Sequence, residues 1–214
     1  LYVYPDMPFD QQMADLKALH SNDRKSLLRF NQAKIHVDGI LEQRTGAMLE
    51  PYVKGPGIDH GFDSGFLYFE ESTLDRYSQE LAEAGFQLHY HVTGDRGARL
   101  ALDAIAKSDA GPGPHRLTHL YSMDKDDLPR FAELNVVADL QLAPSSLDSE
   151  YNASIREFIG DRAGYMMPAA SLENAGALVT LSSDFDADEL SPLVKIQAAL
   201  ERPEEGAPDV QTAI

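Results

Sequence analysis

Between residues 85 and 105 the hydrophobic pattern changes period. Up to Val92 it alternates, with His89 and His91 two apart, so both histidines face one side of a short strand. From Asp95 onward Ala98, Ala101, Leu102 and Ile105 fall at i, i+3, i+4 and i+7, the apolar stripe of a helix. Gly94 is expected to supply the turn and Asp95 the N-cap. The unit is a strand followed by a helix, with a histidine at the strand's C-terminal end. In parallel α/β sheets and barrels, that end is where chemistry sits.

The same alternation of periods recurs along the chain. Residues 1–4 favour a strand, and 10–20 have helical spacing. Residues 33–39 alternate cleanly: Ile35 and Val37 face one way, and Lys34, His36 and Asp38 face the other. That polar face fits either an edge strand with a wet side or a functional surface. Residues 41–69 hold Pro51, Pro56 and several glycines, and read as a long lid or binding loop. A helix is predicted from Ser72 to a stop at Gly85. Strands follow at 115–120, 136–140 and 178–184, separated by helical stretches near 124–134, 155–163 and 167–174. Ser191-Pro192 begins a last helix. Six strands alternating with helices predict a parallel sheet. A complete eight-stranded barrel takes about 250 residues, so the expected fold class is α/β, a partial TIM-type (β/α) barrel lacking its N-terminal strands. Residues 1–202 are read as this single incomplete domain and 203–214 as an acidic mobile tail.

Composition narrows the function. The chain has 214 residues, 43% hydrophobic and 25% charged, as in ordinary globular proteins. Its 18 basic and 35 acidic residues give a net charge of −17, which argues against nucleic-acid and membrane-surface partners. Without cysteine it has neither disulfides nor thiolate metal ligands. No apolar run approaches the roughly 20 residues of a membrane span. A cytoplasmic location is expected, although a cysteine-free chain suits either side of a membrane. The partner expected is a small-molecule substrate. Exposed strand edges of an incomplete barrel also predict a homo-oligomer.

Four strands carry or end in a residue able to serve a metal centre: Lys34, His91, His119 and Asp184. In a parallel barrel these ends converge on one mouth. Imidazole nitrogen and carboxylate oxygen suit zinc or a similar divalent ion. An ammonium has no lone pair to give, but a lysine carbamylated by carbon dioxide becomes a carboxylate. An aspartate beside a metal-bound water can take its proton. On spacing alone, a histidine at a strand end is more often a hydrogen-bonded structural residue than a ligand.

Four blocks, taken in order, resemble the amidohydrolase superfamily, in the branch of the N-substituted formamide deformylases, some of whose members are called exoenzyme regulatory proteins. They are Lys34-Ile35-His36-Val37-Asp38-Gly39, Leu88-His89-Tyr90-His91-Val92-Thr93-Gly94-Asp95-Arg96, His115-Arg116-Leu117-Thr118-His119-Leu120 and Ser183-Asp184-Phe185. The resemblance implies that Lys34 is the carbamylated lysine and that His91 and His119 are metal ligands. It implies Asp184 as both ligand and catalytic base, and a divalent metal, zinc by ligand type, as cofactor. His89 is then a residue that supports the ligands from one layer deeper or a packing residue, and His115 orients the loop before its strand. Asp38 and Asp95 are read as structural. The family's first-strand His-x-His pair has no counterpart here, since His89-Tyr90-His91 belongs to a later strand. The implied function is hydrolysis of an amide-like C–N bond by metal-activated water, with this piece itself inactive and binding metal weakly or not at all. Two other readings stand beside it: a non-catalytic or regulatory barrel domain, and a small-molecule binding domain unrelated to metals.

Overall fold

A computed structural model of the chain describes residues 1–53, 63–108, 111–142, 149–185 and 187–201. The tail at 203–214 lies outside the described residues, as do 54–62 of the long loop.

Six strands form one parallel sheet, each paired with the next in sequence. They are β1 (Tyr2–Val3), β2 (Gln32–His36), β3 (Gln87–Val92), β4 (His115–His119), β5 (Val136–Leu140) and β6 (Leu178–Leu181). The helices are α1 (Phe9–Leu19), α2 (Glu71–Glu83), α3 (Asp95–Lys107), α4 (Leu128–Glu133), α5 (Ser149–Ile159), α6 (Ala169–Asn174) and α7 (Pro192–Glu201). Strictly sequential order in a parallel sheet is the order of strands around a (β/α) barrel. The fold is therefore the α/β, barrel-type architecture that the alternating periods predict.

The two faces of the sheet differ. Ala33, Ile35, Leu88, Tyr90, Leu117, Ala138 and Leu140 are all buried in the core. The Tyr90 hydroxyl lies 2.6 Å from Ser78 Oγ on α2, which places this face under the helices. The opposite face carries Lys34, His36, His89, His91, Arg116, Thr118 and Asp139. This polar face decides the nature of β2. It is flanked by β1 and β3, so it is not the wet edge strand that its alternation allowed.

Helix ends follow local chemistry. Gly85 (φ 92°) stops α2, Asn135 (φ 53°) stops α4 and Gly176 (φ 86°) stops α6, each in the left-handed region that glycine and asparagine tolerate. Gly94 differs from expectation. Its backbone is extended (φ −95°, ψ 154°), and it occupies the N-cap position itself. A Cβ there would lie 2.0 Å from the Ala47 carbonyl oxygen, so glycine is required by close backbone approach rather than by the turn. Asp95 is correspondingly the first residue of α3 and not its cap. Its carboxylate accepts from the Leu49 and Arg96 backbone N–H groups, both at 2.8 Å.

The described part of the 41–69 loop is packed, not free. Ala47, Met48, Tyr52 and Phe69 are buried. Arg162, after α5, donates to the carbonyls of Glu50 and Pro51 at 2.7 Å each. Asp38 is fully buried and accepts three backbone N–H bonds, from Ala47 (2.8 Å), Thr93 (2.9 Å) and Gly94 (2.8 Å). One carboxylate thus ties the end of β2 to the loop and to the start of α3. Burial nevertheless pushes its pKa up to about 7, against the pull of those N–H groups.

Candidate functional site

Strand register builds the centre. Lys34 sits opposite His89, and His36 opposite His91. Residues opposite one another on parallel strands share a face, so all four side chains point to the polar side of the sheet. Lys34 Nζ lies 3.5 Å from His89 Nε2. The rings of His36 and His91 stack, with centroids 4.3 Å apart and planes 21° from parallel.

His119 joins this group against the pleat. Its register partner is Val92, so a regular strand would turn it toward the helices. Instead its backbone is left-handed (φ 79°), as is that of Leu120 (φ 52°). This re-aims the imidazole so that its ring meets the His91 ring at 4.4 Å, edge to face. A non-glycine residue held in that region costs on the order of 1 kcal/mol, and such residues cluster at functional sites. Asp184 (φ 53°) has the same conformation, three residues beyond the end of β6. It is exposed, and with Lys34 it borders a cavity of about 370 Å³ on the polar face. His89, Arg116, Asp139 and Lys195 line the same cavity.

The hydrogen bonds fix which ring nitrogens are free. His91 Nε2 lies 2.8 Å from the Gly39 carbonyl oxygen, which can only accept. Nε2 therefore carries the proton, and Nδ1 keeps its lone pair. His119 Nδ1 lies 2.9 Å from Gln141 Oε1, which leaves the lone pair on Nε2. A histidine whose second nitrogen donates to a fixed oxygen is oriented as metal-binding histidines are.

Burial keeps these rings neutral. It lowers the pKa of His91 and His89 to about 3 and that of His36 to about 4, helped by neighbouring positive charge. His119 is lowered as well, for the same first cause. Burial also brings Lys34 down to about 8, opposed by the charges of Asp184 and Asp139. An amine in that range is neutral often enough at neutral pH to act as a nucleophile or to add carbon dioxide.

Beneath the centre, Asp139 on β5 joins three strands. It accepts from Thr118 Oγ1 (2.8 Å) and Arg116 (3.2 Å) on β4, and from Thr180 on β6. The structure thus brings Lys34, His89, His91 and His119 onto one face, with the Asp184 charge acting on Lys34 and His119. It keeps His115 apart. That ring is buried at the opposite end of β4, where Nδ1 accepts from the Leu88 N–H at 3.1 Å and ties β3 to β4. Asp95 serves the loop. The sequence pattern alone assigns no role to Gln141, Asp139 or the stacked ring of His36. Polar residues at 139 and 141, two apart in an otherwise apolar strand, are the pattern that marks the first two.

The donor chemistry fits a divalent ion through two nitrogens, His91 Nδ1 and His119 Nε2. Among the described residues no three His, Asp or Glu side chains stand together at ligand spacing. The centre therefore offers a pair of neutral imidazoles beside a lysine and a carboxylate.

Comparison with known proteins identifies the family and the fold. The model of a family described as amidohydrolase matches residues 9–210. A Bacillus subtilis protein named as an amidohydrolase, YtcJ, is 30% identical over 176 residues, which are 82% of this chain and 32% of that protein. The exoenzymes regulatory protein AepA of Pectobacterium carotovorum is 26% identical over 138 residues, 64% of this chain and 28% of its own. The chain thus spans about a third of the length of the curated relatives it matches. Among solved structures, an uncharacterized metal-dependent hydrolase from Pyrococcus horikoshii superposes with a TM-score of 0.75 at 24% identity. The match covers 98% of this chain and 40% of that one, and it shows the shared fold.

Proposed function

Because the chain belongs to the amidohydrolase family, we propose that it carries part of a metal-dependent centre that hydrolyses an amide-like C–N bond. The observation that supports this most is the His91–His119 pair. Both rings are neutral, both are anchored through one nitrogen, and one is turned into place by strained backbone. His91 and His119 would hold a divalent ion, zinc by the chemistry of their nitrogens. Such an ion polarises a carbonyl and makes bound water a nucleophile near neutral pH.

The chain's other residues have roles consistent with that reading. Lys34, with its depressed pKa, is the group that carbon dioxide carbamylates, turning an amine into an oxygen ligand. Asp184 is the general base, exposed to incoming water at the mouth of the cavity. His89 holds the Lys34 amine from below. The N-substituted formamide class is the substrate proposed, on the sequence resemblance. With two imidazoles and, among the described residues, no third His, Asp or Glu at ligand spacing, the 214-residue chain by itself is expected to be inactive and to hold metal weakly.

The test uses a protein of the relatives' length that contains this chain, assayed on N-formyl and N-acyl amides. Hydrolysis that is abolished by a chelator, restored by Zn²⁺, and reduced 10³-fold or more by His91→Ala or His119→Ala is expected. Hydrolysis untouched by chelator and by both variants would overturn the reading. A regulatory, non-catalytic role is the second reading, favoured by the likeness to AepA. It predicts no hydrolysis of any amide tested.

A further inference from the structure

We propose that His36 is a positioning residue for His91, and that it acts through the face of its ring. The Gly39 carbonyl anchors one corner of the His91 imidazole, at Nε2. A single hydrogen bond leaves the ring free to pivot about that corner, and a pivot swings the Nδ1 lone pair. The His36 ring removes this freedom. It lies nearly parallel to His91, at 4.3 Å and 21°, on the neighbouring strand and in direct register. On its other side His36 packs against Tyr2, at 5.2 Å and 54°. Tyr2 belongs to β1, so three adjacent strands each contribute one ring to a row.

His119 meets His91 edge to face at 4.4 Å. The His91 ring is therefore bounded by a face, an edge and a hydrogen bond, which together set the direction of Nδ1. Stacked and edge-to-face aromatic pairs favour such offset geometries beyond the area they bury. His36 Nδ1 is itself buried with no hydrogen-bond partner among the described residues. Its ring is thus held by packing, and what it offers His91 is a surface rather than a proton. A phenyl ring would offer the same surface.

The inference depends on His91 as a metal-binding residue only in one of its two tests. The first test reads the ring alone, by ¹H–¹⁵N NMR of metal-free protein. Wild type and His36→Phe should each show one ordered His91 ring in the Nε2–H tautomer. His36→Ala should show an exchange-broadened ring or a mixture of tautomers. An unchanged His91 signal in His36→Ala overturns the proposal.

The second test is Co²⁺ titration followed by visible absorption. His36→Phe should stay within about threefold of wild type, and His36→Ala should fall tenfold or more, as for other groups that orient metal-binding histidines. If His36→Phe falls as far as His36→Ala, the nitrogen and not the face is used, and the proposal fails. If wild type itself takes up no Co²⁺, the metal reading fails, while the NMR comparison still decides the role of His36. Thermal melts of the three proteins establish that each is folded.

Discussion

His119 shows what a single residue contributes and why a strand pattern misses its geometry. Alternation along 115–119 groups His119 with His115 and Leu117, which face the helices. The left-handed backbone at His119 breaks that rule and carries the ring across to His91. The cost of this conformation gives a prediction. Glycine adopts it without strain, so His119→Gly should be about 1 kcal/mol more stable than His119→Ala. Urea denaturation of the two variants measures this, and equal stabilities would mean that the position carries no strain. The shared face of His91 and Lys34, by contrast, follows from alternation, because they sit on strands that keep their pleat. Asp95 was placed one position out because Gly94 occupies the cap. Nothing local announces that the Ala47 carbonyl comes close enough to demand glycine there.

Among elements, the order of strands and helices was readable nearly throughout, because the hydrophobic period switches between strand and helix and α2, α4 and α6 end at glycine or asparagine. The 178–184 strand was too long. The sheet ends at Leu181, and Asp184 lies in a left-handed turn that a period of two cannot foresee. The role of β2 also needed the structure. Alternating polar residues describe a wet edge and a functional interior face equally well, and only the neighbours on both sides decide between them. The long loop is the clearest difference in character. A stretch rich in proline and glycine reads as a lid or binding loop, yet its described part is tied down by Asp38, Asp95 and Arg162. Those three anchors come from distant parts of the sequence, so no local pattern shows them.

The whole molecule gathers ionisable groups that oppose each other as pH changes. His36, His89 and His91 have folded pKa values of about 3 to 4, below the unfolded value of 6.5. Their contribution to stability is complete above pH 6.5 and is lost as pH falls toward 4. Asp38 works in the other direction. Its folded value is raised from 3.8 to about 7, so its contribution is complete below 3.8 and is lost as pH rises through 7. Each group changes stability by at most about 1.4 kcal/mol per pH unit, less for the partly exposed His36 and His89. His115 and His119 are lowered as well and Asp95 is raised, so five histidines against two aspartates leave a net loss on acidification from pH 6.5 to 4.5. Urea midpoints across that range should fall, and a flat or rising profile would mean that the imidazoles are not buried as described. No helix among the described residues is long and apolar enough to cross a membrane. The homo-oligomer expected from exposed strand edges remains a proposal about the assembled state.

The central claim is that His91 and His119 form a metal-binding pair, and Co²⁺ binding tests it most directly. The 214-residue chain, titrated with Co²⁺ at pH 7.5 and followed by visible absorption, should show weak, saturable binding. That binding should weaken tenfold or more in His91→Ala/His119→Ala. No binding by the wild-type chain, or equal binding by chain and variant, would contradict the account.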